Sequence, residues 1–228
     1  MLCAQPDAKI NEQTDQYQLT ALMPAAQEGH IDVVKYLHSR GADPDTCNRA
    51  GGTALLFAAK HNRLEIVRYL LDEMSAAPDA ATGTITALYA AAEKGWIEMA
   101  QMLIAAGADV NAAKANGASS LLVAAEQGHA AMVLLLCDHG ADMTAKLVSC
   151  RSDALMIAAR QGRADMLRTL ITKFPELRVL GRNNRGATAL HTAAHQGHLS
   201  RRRDCHSAAS PSPFSRRFNR DREGTSAK

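Results

Sequence analysis

Three histidines near the end of the regular part of the chain are the residues most readily turned to chemistry. His191 and His195 stand four apart, one helical turn, and His198 follows three residues later. That is a spacing at which imidazoles can share a zinc ion. Asp43-Pro44-Asp45 opens like a calcium loop, but its sixth place is Asn48 instead of Gly and its twelfth is Ala54 instead of Glu. The sharp turn and the closing bidentate ligand are therefore both missing. The five cysteines, Cys3, Cys47, Cys137, Cys150 and Cys205, are odd in number and widely spaced, with no CxxC. They suggest neither a disulfide framework nor a zinc site, and they fit a reducing compartment. Cys205-His206 adds no ligand set. There is no Gly-Lys dipeptide and hence no P-loop, and no GxGxxG, GxSxG or HExxH occurs. The residue types nominate no catalytic residue, no cofactor and no metal site, and the chain reads as a non-enzyme.

The elements that would have to position any such group are set by a repeat. Leucines stand at Leu22, Leu55, Leu88, Leu121, Leu155 and Leu190, at steps of 33, 33, 33, 34 and 35 residues. Each is followed three residues later by an Ala-Ala pair, from Ala25-Ala26 to Ala193-Ala194. Three residues after each pair comes Gly29, Asn62, Gly95, Gly128, Gly162 or Gly197, residues that accept the left-handed conformation ending a helix. Thr20, Thr53, Thr86, Ser119 and Thr188 precede the apolar runs as N-caps should, with Asp153 near that place in the fifth unit. The spacing predicts a first helix of about two turns in each unit. It predicts a second helix carrying Ile31, Val34 and Leu37 in the first unit, Ile66, Leu70 and Leu71 in the second, and Met99, Met102 and Leu103 in the third. Asp32, Glu65, Glu98 and Asp165 fall early in that helix, where the helix dipole favours negative charge. Scarce aromatics, one Trp with four Tyr and four Phe, also favour closely packed helices over a β-sandwich.

The combination of Thr20-Ala21-Leu22, Thr53-Ala54-Leu55, Gly29-His30, Gly128-His129, Gly197-His198 and Gly107-Ala108-Asp109-Val110-Asn111 resembles the ankyrin repeat over roughly Asn11 to His198. The resemblance implies an all-α ankyrin-repeat solenoid of about six helix–turn–helix repeats with β-turn fingers, the last repeat incomplete. It also implies that His191 and His198 are the two family histidines of the sixth unit, which is the stronger reading against zinc. The family's Pro after Thr is Ala or Ser in every unit, and its following His survives only at His191, so His–Thr bonds between units are expected to be lost in five of six. The irregular ends Ser75-Ala76-Ala77-Pro78 and Phe174-Pro175-Glu176 are expected to displace their outgoing loops. Leu103, Asp109, Val110 and Asn111 match the context favoured by asparaginyl hydroxylases that act on the family, beside the simpler reading that Asn111 stabilises its turn.

In the family, one face of the first helix borders the concave groove. Positions two residues after each landmark Leu would form an apolar row, Phe57–Ala90–Val123–Ile157, beside a mixed-charge row. The expected contact set for a protein partner is Phe57, Lys60, His61, Tyr89, Glu93, Lys94, Val123, Glu126, Ile157, Arg160 and Gln161, with Phe57, Tyr89 and Arg160 as anchors because aromatic and Arg side chains dominate interfaces. The competing reading is that the apolar row only packs between adjacent helices.

Charge marks the organisation. The body to His198 carries 18 Lys and Arg against 20 Asp and Glu, and the last 30 residues carry 8 against 3. Residues 1–17 are expected to be an N-terminal extension or the remnant of a preceding repeat, with Ile10-Asn11 echoing Val110-Asn111. Residues 18–199 would be the repeat domain and 200–228 a basic Ser/Pro/Arg-rich tail unable to offset its ordering entropy. The leading function is an adaptor or scaffold that recognises a protein through the groove and finger loops. Two readings compete with it. One is nucleic-acid or anionic-surface binding through Arg201-Arg202-Arg203 and Arg216-Arg217; the other is a fragment of a larger ankyrin-containing regulatory protein or enzyme. No signal-like run opens the chain and no stretch is long enough to span a bilayer, so a cytoplasmic or nuclear monomer is expected.

Overall fold

The computed structural model describes residues 9–14, 16–81, 85–174 and 181–196. Among these residues lie eleven α-helices, with no strand and one isolated β-bridge between Ala113 and Ser119. The chain divides into two compact units, Met1–Ala154 and Leu155–Lys228. His198, Cys3, Cys205-His206, Pro175-Glu176, the arginine clusters and the whole of the basic tail lie outside the described residues.

The first unit contains four helix pairs: α1 (Leu22–Glu28) with α2 (Ile31–Ser39), α3 (Ala54–Lys60) with α4 (Leu64–Asp72), α5 (Ala87–Lys94) with α6 (Ile97–Ala105), and α7 (Ser120–Gln127) with α8 (Ala130–Asp138). The first helices stack in the order α1, α3, α5, α7, and the second helices stack as α2, α4, α6, α8. Side-chain size explains the close stacking. In this unit both members of each Ala pair are buried, as are Leu22, Leu55, Leu88 and Leu121. With only methyl groups at the crossing, neighbouring first helices approach closely, and the leucines fill the space beside them. Val34, Leu37, Ile66, Leu70, Met99 and Leu103 bring the second helices onto the same core, whereas Ile31, Leu71 and Met102 are half-buried at its edge.

Helix ends follow the sequence closely. Thr53, Thr86 and Ser119 are extended N-caps whose hydroxyl oxygens accept from the backbone N–H three residues on, at 3.4, 3.1 and 3.4 Å. The stop residues Gly29, Asn62, Gly95 and Gly128 take φ of 90°, 55°, 73° and 88°. Asp32, Glu65 and Glu98 occupy the first turns of α2, α4 and α6.

The first repeat departs from expectation. Thr20 does not cap α1: the helix begins at Leu22, after an Ala21 already in helical conformation with no side-chain cap. The cause is Pro24. In the other units of this part the residue at that place donates to the capping residue's carbonyl, as Phe57 does to Thr53 at 3.1 Å. Proline has no N–H to give. Thr20 O instead accepts from Met23 N at 3.3 Å, and the first α-type bond is Ala25 N to Ala21 O.

Loops between units are tied by a ladder that the periodicity did not reveal. The Asn11 amide donates to Gly41 O (3.2 Å), and Asn11 Oδ1 accepts from Asp43 N (2.9 Å). Asn111 does the same with Gly140 O (3.1 Å) and Asp142 N (2.7 Å). Between them, Asp45 Oδ1 accepts from Ala77 N (2.9 Å) and Asp79 Oδ2 from Asp109 N (2.7 Å). Ala77 therefore stays in the ladder. The loop after α4 is not displaced as expected: its extra residue is taken up at Glu73–Met74, whose N–H groups both donate to Tyr69 O, Ser75 fills the left-handed place of Gly41 at φ 53°, and Ala76 is buried as Ala42 is.

Among the described residues one buried side-chain group is left unmatched. Ser120 replaces the Ala found at this place in α3 and α5, and its hydroxyl is buried without a hydrogen-bond partner. Leaving a hydroxyl unsatisfied in a core costs about 1–3 kcal/mol. Ser120→Ala should therefore raise stability by about 1 kcal/mol, read as a higher midpoint in urea titration. A lower midpoint would contradict the orphaned hydroxyl.

The second unit contains the rest of α9 (Ala154–Arg160), α10 (Ala164–Lys173) and α11 (Ala189–His195). Gly162 follows α9 at φ 73°, and Asp165 opens α10, where it pairs with Arg168 at 3.2 Å. Thr188 caps α11, and its Oγ1 also lies 2.8 Å from His191 Nδ1. The surviving His–Thr bond thus closes within one repeat and not between two. Leu190 is only half-buried.

Candidate functional site

The candidate partner residues of the first unit lie on its first helices. α3 carries Phe57, Lys60 and His61, and α5 carries Tyr89, Glu93 and Lys94. α7 carries Val123 and Glu126. Lys60, His61 and Lys94 are exposed, while Phe57, Tyr89, Glu93 and Glu126 are half-buried. His61 is held by its own helix, Nδ1 lying 3.0 Å from Phe57 O. Val123 is only 5% exposed and is interior packing, so its place in the expected contact set is corrected. Ala90 is buried as well. The apolar row is therefore absorbed between neighbouring helices at these places, because the side chains are short enough to fit there. Phe57 is too large to be swallowed in the same way, and its ring rests beside Gly52.

In the second unit α9 carries Ile157 and Arg160, and Gln161 follows it. Ile157 is 2% exposed and is likewise corrected to packing. Arg160 is half-buried and Gln161 exposed.

A hollow of about 350 Å3 lies in the first unit, lined among others by Asp79, Ile85, Tyr89, Asp109, Ala112 and Lys114. Its position follows from local structure. Thr86 caps α5, and Tyr89 N donates to the cap, which plants the Tyr89 ring on the first turn. The next finger turns tightly, with Lys114 N donating to Ala118 O at 3.0 Å and Gly117 N to Lys114 O at 2.8 Å. That turn brings the Lys114 ammonium to 4.3 Å from the Tyr89 ring centroid, a cation–π contact worth about 0.5–1 kcal/mol at an open site. Asp79 and Asp109 are spoken for by the loop ladder, Asp79 Oδ2 taking Asp109 N and Asp109 Oδ1 taking Asn111 N at 2.9 Å. The hollow thus offers an aromatic face, a short apolar wall and charges of both signs.

Sequence reasoning chose Tyr89 but missed Lys114, Asp79 and Asp109. They belong to loops, where the helical rows used to select the others do not run. The usable signal was repeat register: Lys114 lies in the finger following the helix pair that bears Tyr89.

Among the described residues no group of three or more His, Cys, Asp and Glu is gathered to hold a metal ion. No helix there is long and apolar enough to cross a membrane.

No curated protein matches the chain. Family comparison does: "Ankyrin repeats (many copies)" matches residues 22–71, and "Ankyrin repeats (3 copies)" matches residues 75–147 and 145–201. These segments span most of the sequence and coincide with the helix pairs described above. Ankyrin repeats generally mediate protein–protein interaction and are typically non-catalytic. With paired short helices, buried alanine pairs and matches over both units, the chain belongs to the ankyrin repeat family.

Proposed function

We propose that the chain is a non-catalytic adaptor that holds a protein partner against the first-helix and finger side of its first unit. Phe57 and Tyr89 are the anchors, and Lys60, His61, Glu93, Lys94 and Glu126 surround them. On the second unit, taken by itself, Arg160 and Gln161 are the candidate contacts. The observation that carries this reading is the hollow beneath Lys114. It leaves an aromatic ring half-open between a helix and a finger, at a size that admits one partner side chain. Neighbouring charges alternate in sign, so the partner surface is expected to be mixed, with apolar side chains entering beside Phe57 and Tyr89.

The double substitution Phe57→Ala/Tyr89→Ala should reduce the amount of partner retained from cell extract by more than about tenfold, with an unchanged helical circular-dichroism signal. The pair Lys35→Ala/Arg68→Ala, on the second helices, should leave retention as it was. A folded Phe57/Tyr89 double variant that captures partners as well as the parent would refute the assignment.

A further inference from the structure

The repeats of the first unit can be compared place by place, and the comparison isolates one face. Val33 of α2 corresponds to Ile66, Met99 and Met132 in the following second helices. Those three are 2%, 0% and 0% exposed, yet Val33 is 45% exposed. Tyr36 is 40% exposed, whereas its equivalents Tyr69, Met102 and Leu135 are half-buried. On α1, Ala21 and Pro24 are exposed. Their equivalents Ala54, Ala87 and Ser120, and Ala90 and Val123, are buried, and Phe57 is half-buried. The opposite side of the first repeat behaves normally, with Leu22, Met23, Ala26, Val34 and Leu37 covered as in the other repeats. What distinguishes the exposed places is that each later equivalent belongs to a repeat with another helix pair stacked before it.

A solenoid end that faces water normally bears polar residues. This one presents Val, Tyr, Pro and Ala. The chain leading to it is already in repeat register. Asn11 makes the same two bonds to the loop ahead as Asn111 makes, and Thr14 N to Leu19 O (3.0 Å) closes a turn of the kind Asn48 N to Gly52 O (2.9 Å) closes in the next finger. The Tyr17 carbonyl in that turn accepts from Arg49 N at 3.1 Å. Residues 11–14 and 16–19 thus do what the link after a second helix does elsewhere in the first unit.

We propose that this face is a docking surface for one more ankyrin-type helix pair, seated ahead of Asn11 and offering a leucine- and alanine-lined face to Ala21, Pro24, Val33 and Tyr36. The occupant is set by continuity. The repeat-to-repeat interface that covers α3, α5 and α7 ends at α1 only because no helix pair lies before it among the described residues. This surface is separate from the partner site around Tyr89 and stands without it.

A graft tests the proposal. Replacing residues 1–10 by a copy of Ala87–Val110 joins Val110 to Asn11 in the same register as the native Val110-Asn111. The grafted chain should melt about 5 °C or more above the parent. Val33→Asp should shift the parent by about 1 °C or less, since surface changes are nearly neutral, and should remove most of the graft's gain. In a second measurement, the thiol introduced by Val33→Cys should be labelled by maleimide in the parent and protected about tenfold or more in the graft, read at that position by mass spectrometry. No rise in melting temperature, a rise that survives Val33→Asp, or equal labelling of the introduced thiol in both chains would each overturn the proposal.

Discussion

Replacing Leu88 by alanine should lower the unfolding free energy by about 2–5 kcal/mol. Leu88 is fully buried on α5, whose neighbours α3 and α7 press on it from both sides along the row of first helices. Removing three carbons there forfeits transfer free energy and also leaves a cavity, because two rigid helices cannot both collapse into the gap. The alanine pairs sharpen the effect, since they already hold the helix backbones close and leave no long side chain to swing in. Leu121→Ala on α7 should cost a similar amount. Leu190→Ala on α11, where the leucine is only half-buried, should cost less than half as much. Urea titrations of the three variants give the ordering directly. A Leu88 variant as stable as the parent would mean that the interlocked leucines do not carry the stack.

Gly117→Ala should cost more than about 2 kcal/mol, although it adds one methyl group on a surface loop. Two effects combine. Gly117 lies at φ 79°, where a residue with a Cβ is strained by about 1–2 kcal/mol. The new carbon would also sit 2.6 Å from Lys146 O and 3.1 Å from Val148 N. These are backbone atoms of the following finger, so no rotamer change relieves them. The fingers would have to part, breaking the 2.9 Å bond from Val148 N to Asn116 O. Gly107→Ala is the control: its φ is 91°, but a methyl there meets nothing within 4 Å. It should show only the backbone strain. Equal costs at both glycines would remove the close approach of the fingers as a cause.

Local chemistry was legible in the sequence wherever a residue acts within its own repeat. Thr53, Thr86 and Ser119 were recognisable as caps, Asn62 as a stand-in for glycine, and the alanine pairs as the place where helices meet. Burial was harder to read. Phe57, Ala90 and Val123 occupy equivalent places, but only the phenylalanine stays half-open, because depth depends on volume against the neighbouring helix and not on period. Ala21–Leu22 looked like every other helix start, yet Pro24 three residues on withdrew the N–H that the Thr20 carbonyl needed. The bonds made by Asn11, Asp45, Asp79 and Asn111 span 29–32 residues. They were invisible because spacing along one chain does not say which loop atoms of successive repeats come within reach. Lys114 over Tyr89 was missed for the same reason.

Two further long-range contacts give the stack a direction. Arg63 Nε donates to Gln27 O at 2.9 Å, and His129 Nε2 donates to Glu93 O at 3.1 Å. In each case a side chain at the threshold of one second helix satisfies a carbonyl in the final turn of the first helix one repeat earlier, a group that would otherwise lack a partner. The stack is therefore asymmetric with respect to its own chain. A newly made first helix keeps an open end until its successor arrives, so a ribosome delivering this chain would complete α1 only after Arg63 had emerged, and α5 only after His129. Unravelling from the downstream side would expose the ends of α1 and α5 as α4 and α8 leave, whereas loss of an upstream neighbour would leave these two termini sealed.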